Sequence, residues 1–134
     1  MLILVVEDEP VQALTLELAL ADAGHDILGP ASTIGTALKL IEHTRPDLAL
    51  VDICLGDRLD GASIARETWS RWQTPVIFAS ASHDTALENR DVALGYLENP
   101  YTAEELLATV DVAQSIMAGG APPPPPIPSR LQLF

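Results

Sequence analysis

Leu2-Ile3-Leu4-Val5-Val6-Glu7-Asp8-Glu9-Pro10 is the stretch whose reading decides the fold. An apolar run this short, rich in branched residues and stopped abruptly by charge, reads as a strand. Pro10 suits the first turn of a helix, and Val11, Leu14, Leu18 and Ala21 recur behind it at helical spacing. The acids between strand and helix therefore fall at the carboxyl end of a strand, where open α/β sheets gather their ligands.

Outward from that stretch the alternation repeats. Gly24 closes the helix, His25 to Leu28 is a brief second strand, and Gly29-Pro30 is expected to forbid its continuation. Ile34, Leu38 and Ile41 mark a second helix that must end before Pro46, because the residue ahead of proline is pushed out of the helical region. Asp47 to Ile53 is nearly continuous in apolar residues up to Asp52, as a central parallel strand covered on both faces should be. The loop from Cys54 to Gly61 leads to a helix through Ile64, Ala65 and Trp69, and Pro75 to Ala79 gives a fourth strand. A weaker helical stretch, Asp84 to Arg90, precedes strand Leu94 to Leu97 and a last helix from Thr102 to Met117, opened by a Thr102/Glu105 capping box. Five strands alternating with about five helices predict a doubly wound, five-stranded parallel α/β sheet with a short fourth helix. The domain is expected over residues 1–117. Residues 118–134 form a C-terminal extension whose prolines, Pro122 to Pro126, favour polyproline II, and it is expected to stand apart from the core. Leu131, Leu133 and Phe134 are its candidates for docking on a neighbouring subunit or partner.

Composition narrows the function. A chain of 134 residues holds one core, and a formal charge of −12 would repel a phosphate backbone, which argues against direct nucleic-acid binding. The N-terminal apolar run meets acids at once and lacks a basic leader, so it does not read as a signal peptide. No stretch approaches the length needed to insert in a membrane, and the lone Cys54 has no disulfide partner, so a cytoplasmic location is expected.

The chemistry lies in the carboxylates. Glu7 and Asp8 follow the first strand and Asp52 ends the third, a placement that lets them converge on one cation. An all-oxygen set suits Mg²⁺, with Mn²⁺ as an alternative, better than zinc. Glu7 and Asp8 read equally well as a solvated acidic loop ahead of a helix N-terminus. Asp52 is harder to explain that way, since a carboxylate ending an apolar strand needs a partner or a task.

Taken together, Val5-Val6-Glu7-Asp8-Glu9-Pro10, Leu50-Val51-Asp52, Asp60-Gly61, Pro75-Val76-Ile77-Phe78-Ala79-Ser80-Ala81 and Gly95-Tyr96-Leu97-Glu98-Asn99-Pro100 resemble, in order and spacing, the signature blocks of response-regulator receiver domains. The resemblance covers about residues 1–117 and implies a flavodoxin-like fold. It implies that Asp52 is the phosphoacceptor and that Glu7, Asp8, Asp52 and the Cys54 carbonyl hold the metal. Ser80 would be the hydroxyl that contacts the phosphoryl group, and Tyr96 the aromatic coupled to it. It further implies a phosphorylation-dependent switch served by a histidine kinase or histidine phosphotransfer protein and acting on a downstream protein target, with a homodimer left open. Any enzymatic activity would be limited to Mg²⁺-dependent self-phosphorylation and autodephosphorylation at Asp52.

Three departures qualify the match. Asn99 stands where the family normally carries Lys, and an amide offers only neutral donors to phosphoryl oxygens. The segment from Ser80 to Asn99 is a few residues short, and the loop from Asp52 to Gly61 is about one residue longer than usual, with Gly56 where Pro is common. These departures keep open a pseudo-receiver that docks partners without phosphorylation. A hydrolase with an Asp nucleophile lacks a second acid two residues on, where Cys54 stands, and no glycine-rich fingerprint supports a dinucleotide enzyme. His25, His43 and His83 are scattered, which suits surface or turn positions, and Trp69 and Trp72 read as packing groups.

Overall fold

The computed structural model describes residues 1–54, 61–81, 83–119 and 127–134. The elements run β1 (Leu2–Val6), α1 (Pro10–Asp22), β2 (Asp26–Ala31), α2 (Ile34–His43), β3 (Leu48–Val51), α3 (Gly61–Trp72), β4 (Val76–Ser80), α4 (His83–Glu88), a 3₁₀ turn (Arg90–Val92), β5 (Ala93–Glu98), α5 (Ala103–Met117) and β6 (Leu131–Leu133). The sheet order is β2-β1-β3-β4-β5-β6. The first five strands pair in parallel, and β6 pairs antiparallel with β5. This is the expected doubly wound, flavodoxin-like α/β fold, with six strands rather than five.

Alternation along each strand sends neighbouring side chains to opposite faces. Leu4, Val6, Ala49, Val51, Phe78 and Tyr96 pack beneath α2 and α3 with Ile41 and Ile64. Ile3, Val5, Leu48, Leu50, Ile77 and Leu97 pack on the other face with Leu16 and Leu20 of α1 and Leu106 and Val110 of α5. β1, β3 and β4 lie inside the sheet and are covered on both sides, which is why their sequences are continuously apolar.

The helix ends follow local chemistry. Glu9 caps α1, its carboxylate accepting the Val11 and Gln12 amides at 3.2 and 2.7 Å. Thr102 and Glu105 form the predicted capping box on α5, with bonds of 3.0 and 3.1 Å. Trp72 donates to the Ile41 carbonyl at 2.7 Å and so ties α3 to α2, a packing role. The fourth helix is short, and Arg66 of α3 braces the turn after it by bonding Asn89 at 2.8 Å and both Asp91 oxygens at 2.9 Å.

Three expectations need correction. Val11, Leu14 and Leu18 are 72%, 53% and 57% exposed, and Leu16 and Leu20 are the buried residues of α1. Leucine at every second position places apolar groups on two sides of a helix, so spacing alone did not single out the inner one. β2 runs through Gly29-Pro30 to Ala31, with a register irregularity against β1. It tolerates the proline because it is an edge strand, whose outer amides need no ladder partner. Finally, the C-terminal extension does not stand apart: Leu131 is 7% exposed and joins the α1/α5 core. The long loop with Gly56 and Asp60, and Pro122 to Pro126, lie outside the described residues.

Candidate functional site

β1 and β3 are neighbours and end level with each other: Val6 pairs with Val51, and the Asp52 amide donates to the Val6 carbonyl at 2.9 Å. The residues that follow, Glu7 and Asp8 on one strand and Asp52 on the other, are therefore brought together. Each offers a carboxylate oxygen within 4.8 Å of the others. Glu7 and Asp52 are 4% and 9% exposed. Glu9, the third acid of the run, is spent on the helix cap. The acidic-loop reading thus describes Glu9 and not Glu7.

Buried like charges at this spacing cannot all stay ionised without compensation. Burial pushes the Glu7 carboxyl up to about 8, with the Asp52 charge as the second cause. Burial raises Asp52 as well, opposed by hydrogen bonds from the Cys54 amide, the Ser80 hydroxyl and the Glu7 carboxyl. Burial and the neighbouring Asp52 charge thus favour the protonated form of Glu7, whose hydrogen bond in turn favours the Asp52 carboxylate. The Cys54 amide donates to Asp52 Oδ1 at 3.1 Å, which fixes the carboxylate plane.

Ser80 ends β4 beside β3, 1% exposed, with its hydroxyl on Asp52. Asn99 follows β5, and its amide donates to the Ser80 carbonyl at 3.1 Å, so backbone contact carries it to the same end of the sheet. Tyr96 is not at the acids. It is 3% exposed on the α4 face of β5, its ring tilted against His83 at 5.4 Å between centroids.

Two further residues shape the site. Gly61 opens α3 with its amide on the Ile53 carbonyl at 3.0 Å, and a Cβ there would overlap the Asp52 carbonyl oxygen and stand 2.6 Å from the Ile53 Cα. Only glycine lets the helix begin against the strand end that carries Asp52. Its signal in the sequence was the Asp60-Gly61 pair. Tyr101, after the cis Asn99–Pro100 bond, buries its hydroxyl, which burial pushes up to about 12, the charges of Glu7 and Asp52 adding to the shift. No sequence signal marked it. His25 sits at the N-terminus, its Nδ1 3.2 Å from the Met1 amino group, and so plays no part here.

All donors in the cluster are hard oxygens, two of them buried and repelling each other when both are ionised, which is the environment a divalent oxygen-seeking cation relieves.

Comparison with known proteins agrees with this geometry. The family model described as the response regulator receiver domain matches residues 3–111. The transcriptional regulatory protein PdtaR of Mycobacterium tuberculosis is 30% identical over 116 residues, 84% of this chain and 56% of its own length. This chain spans about half or less of the length of the curated relatives it matches. A CheY-like receiver domain protein from Methanospirillum hungatei superposes with a TM-score of 0.80 at 22% identity, covering 88% of this chain and 96% of that one, and shows the shared fold. A Burkholderia pseudomallei response regulator, crystallised with a phosphorylated aspartic acid and a calcium ion, superposes with a TM-score of 0.74 at 27% identity over 92% of this chain and 75% of that one. With the family model spanning most of the sequence and the fold and acidic strand ends in place, the chain belongs to the response-regulator receiver family of two-component systems.

Proposed function

We propose that this chain is a phosphorylation-dependent switch, taking a phosphoryl group on Asp52 from the phosphohistidine of a histidine kinase or phosphotransfer protein. One observation carries the reading: Asp52 is buried, within reach of the Glu7 and Asp8 carboxylates and hydrogen-bonded by the Ser80 hydroxyl. An Asp52 carboxylate oxygen attacks phosphorus as the P–N bond breaks, and the imidazole leaves with the donor protein. The Cys54 amide orients the nucleophile, and Ser80 can turn its O–H from the carboxylate to a new phosphoryl oxygen. Glu7, Asp8, Asp52 and the Cys54 carbonyl would hold Mg²⁺, which supplies the positive charge that the phosphoryl oxygens require. The donor must seat beside the acids, and the exposed stripe Val11, Leu14 and Leu18 on α1 begins next to them. Among the described residues no helix is long and apolar enough to cross a membrane.

Asn99 favours a second reading, a docking module that has lost efficient phosphorylation, because it removes the cation expected at this end of β5. Incubation with a small acyl phosphate and Mg²⁺, read by intact mass, separates the two. One added phosphoryl group in wild type and none in Asp52→Asn supports the switch, and no addition in either supports the docking module.

A further inference from the structure

The C-terminal strand β6 covers the edge of β5 that the five parallel strands leave open. Leu131 faces Leu97, Gln132 faces Tyr96 and Leu133 faces Gly95. The Glu98 amide donates to the Arg130 carbonyl and the Phe134 amide to the Leu94 carbonyl, both at 2.9 Å. Alternation along an antiparallel ladder makes Tyr96 and Gln132 the hydrogen-bonded pair between them. The edge is shaped for a backbone: a Cβ on Gly95 would come within 2.7 Å of the Gln132 carbonyl oxygen. It also reads side chains. His83 Nε2 lies 2.9 Å from Gln132 Oε1, and Arg130 Nε lies 3.6 Å from Glu105 Oε2.

Yet the tail is held chiefly through Leu131 and a short ladder. β6 has three residues, Arg130 and Phe134 are 41% and 38% exposed, and a cavity of about 230 Å³ remains between His83, Tyr96 and Glu98 and the tail's Ser129, Arg130 and Gln132. Short pairing with unfilled space is what a displaceable ligand shows.

We propose that the β5 edge is a strand-acceptor site for an extended segment of a partner protein, one with a basic residue followed by two aliphatic residues at alternate positions, and that residues 130–134 are its resident intramolecular mimic. Main-chain pairing gives such a site its affinity and alternate side-chain pockets its specificity. Charge selects the partner. Glu98 and Glu105 line the edge, Arg130 is the complement the tail supplies, and a net charge of −12 disfavours a second copy of this chain as the occupant. A tethered tail competes at an effective concentration set by its linker, so the partner binds only when the tail gives way. This inference does not depend on chemistry at Asp52.

The test titrates a fluorescein-labelled peptide, Pro128 to Phe134, against the full-length protein by anisotropy. Gln132→Pro in the protein removes the amide of the central pair and Arg130→Glu reverses the ion pair, so either should free the edge and tighten peptide binding ~10-fold over wild type. Gly95→Val should abolish binding, and added salt should weaken it. Far-UV circular dichroism and the melting temperature establish that each variant is folded, and Arg130→Glu, a surface change, keeps the test decisive if Gln132→Pro does not fold. Binding no tighter in a folded tail variant than in wild type, or equal binding of a scrambled peptide, overturns the proposal. So does a wild-type dimer in sedimentation that Gln132→Pro dissociates, since a second copy would then be the occupant.

Discussion

The Cβ that Gly61 lacks would sit on the carbonyl oxygen of Asp52. Helix α3 and the strand end that carries Asp52 are thus packed backbone to backbone, and the atoms a Cβ would meet are all main chain. Gly61→Ala should destabilise the protein by about 3 kcal/mol, the upper part of the range for overpacked cores, because main chain and not a side chain must move. It should also weaken divalent-ion binding, since the displaced atoms carry Asp52 and the Cys54 amide that orients it. Urea unfolding and a Mg²⁺ titration check both, and a loss within ~0.5 kcal/mol would show that the contact is relieved elsewhere.

Glu7 predicts a pH dependence with a definite sign. Its folded value, raised from 4.5 to about 8, means that the native protein binds a proton the unfolded chain releases. Stability without metal should therefore be greatest at the acid end of that window and fall as pH rises through about 8. Mg²⁺ should displace that proton, so its binding releases close to one proton near neutrality and almost none above the Glu7 value. Thermal melts in a chelator and calorimetry in buffers of different ionisation enthalpy measure the two effects. Stability that rises across the window would contradict the assignment.

Asp8 is the least buried member of the cluster, so its removal tests metal binding with the smallest disturbance of the core. Asp8→Ala should lower Mg²⁺ affinity by ~10-fold or more, in line with the loss of one charged ligand, while leaving the melting temperature of the metal-free protein unchanged or higher as repulsion is relieved. Equal affinity in wild type and variant would remove Asp8 from the ligand set.

Asn99 follows β5 with its backbone amide on the Ser80 carbonyl, and on the proposed switch reading it takes the position where a cation would serve the phosphoryl oxygens. If charge limits the reaction, Asn99→Lys should raise the initial rate of phosphorylation at matched Mg²⁺, since charge-assisted hydrogen bonds are roughly twice as strong as neutral ones. A slower or unchanged rate would mean that the amide already belongs to a rearranged site.

Much of this was legible along the chain, because the decisive features are local. An apolar run ending in acids states both a buried strand and what stands at its end, so Glu7, Asp8 and Asp52 could be named before their convergence was seen. Thr102 and Glu105 announced a helix start in the same way. What escaped notice depends on contacts between distant segments. The steric need for Gly61 arises from a strand end nine residues earlier, and the inner face of α1 was hidden by leucines on two sides. β6 escaped because three residues after a proline run carry almost no periodic signal. Their pairing is decided by an open edge and by Gly95 upon it.

Site-resolved mass mapping tests the proposed role of Asp52 as phosphoacceptor most directly. After exposure to a small acyl phosphate and Mg²⁺, reductive trapping of the acyl phosphate and peptide analysis should place a single modification on Asp52, lost when the metal is chelated. A phosphoryl group on another residue, or none on a protein shown to bind Mg²⁺, would contradict it.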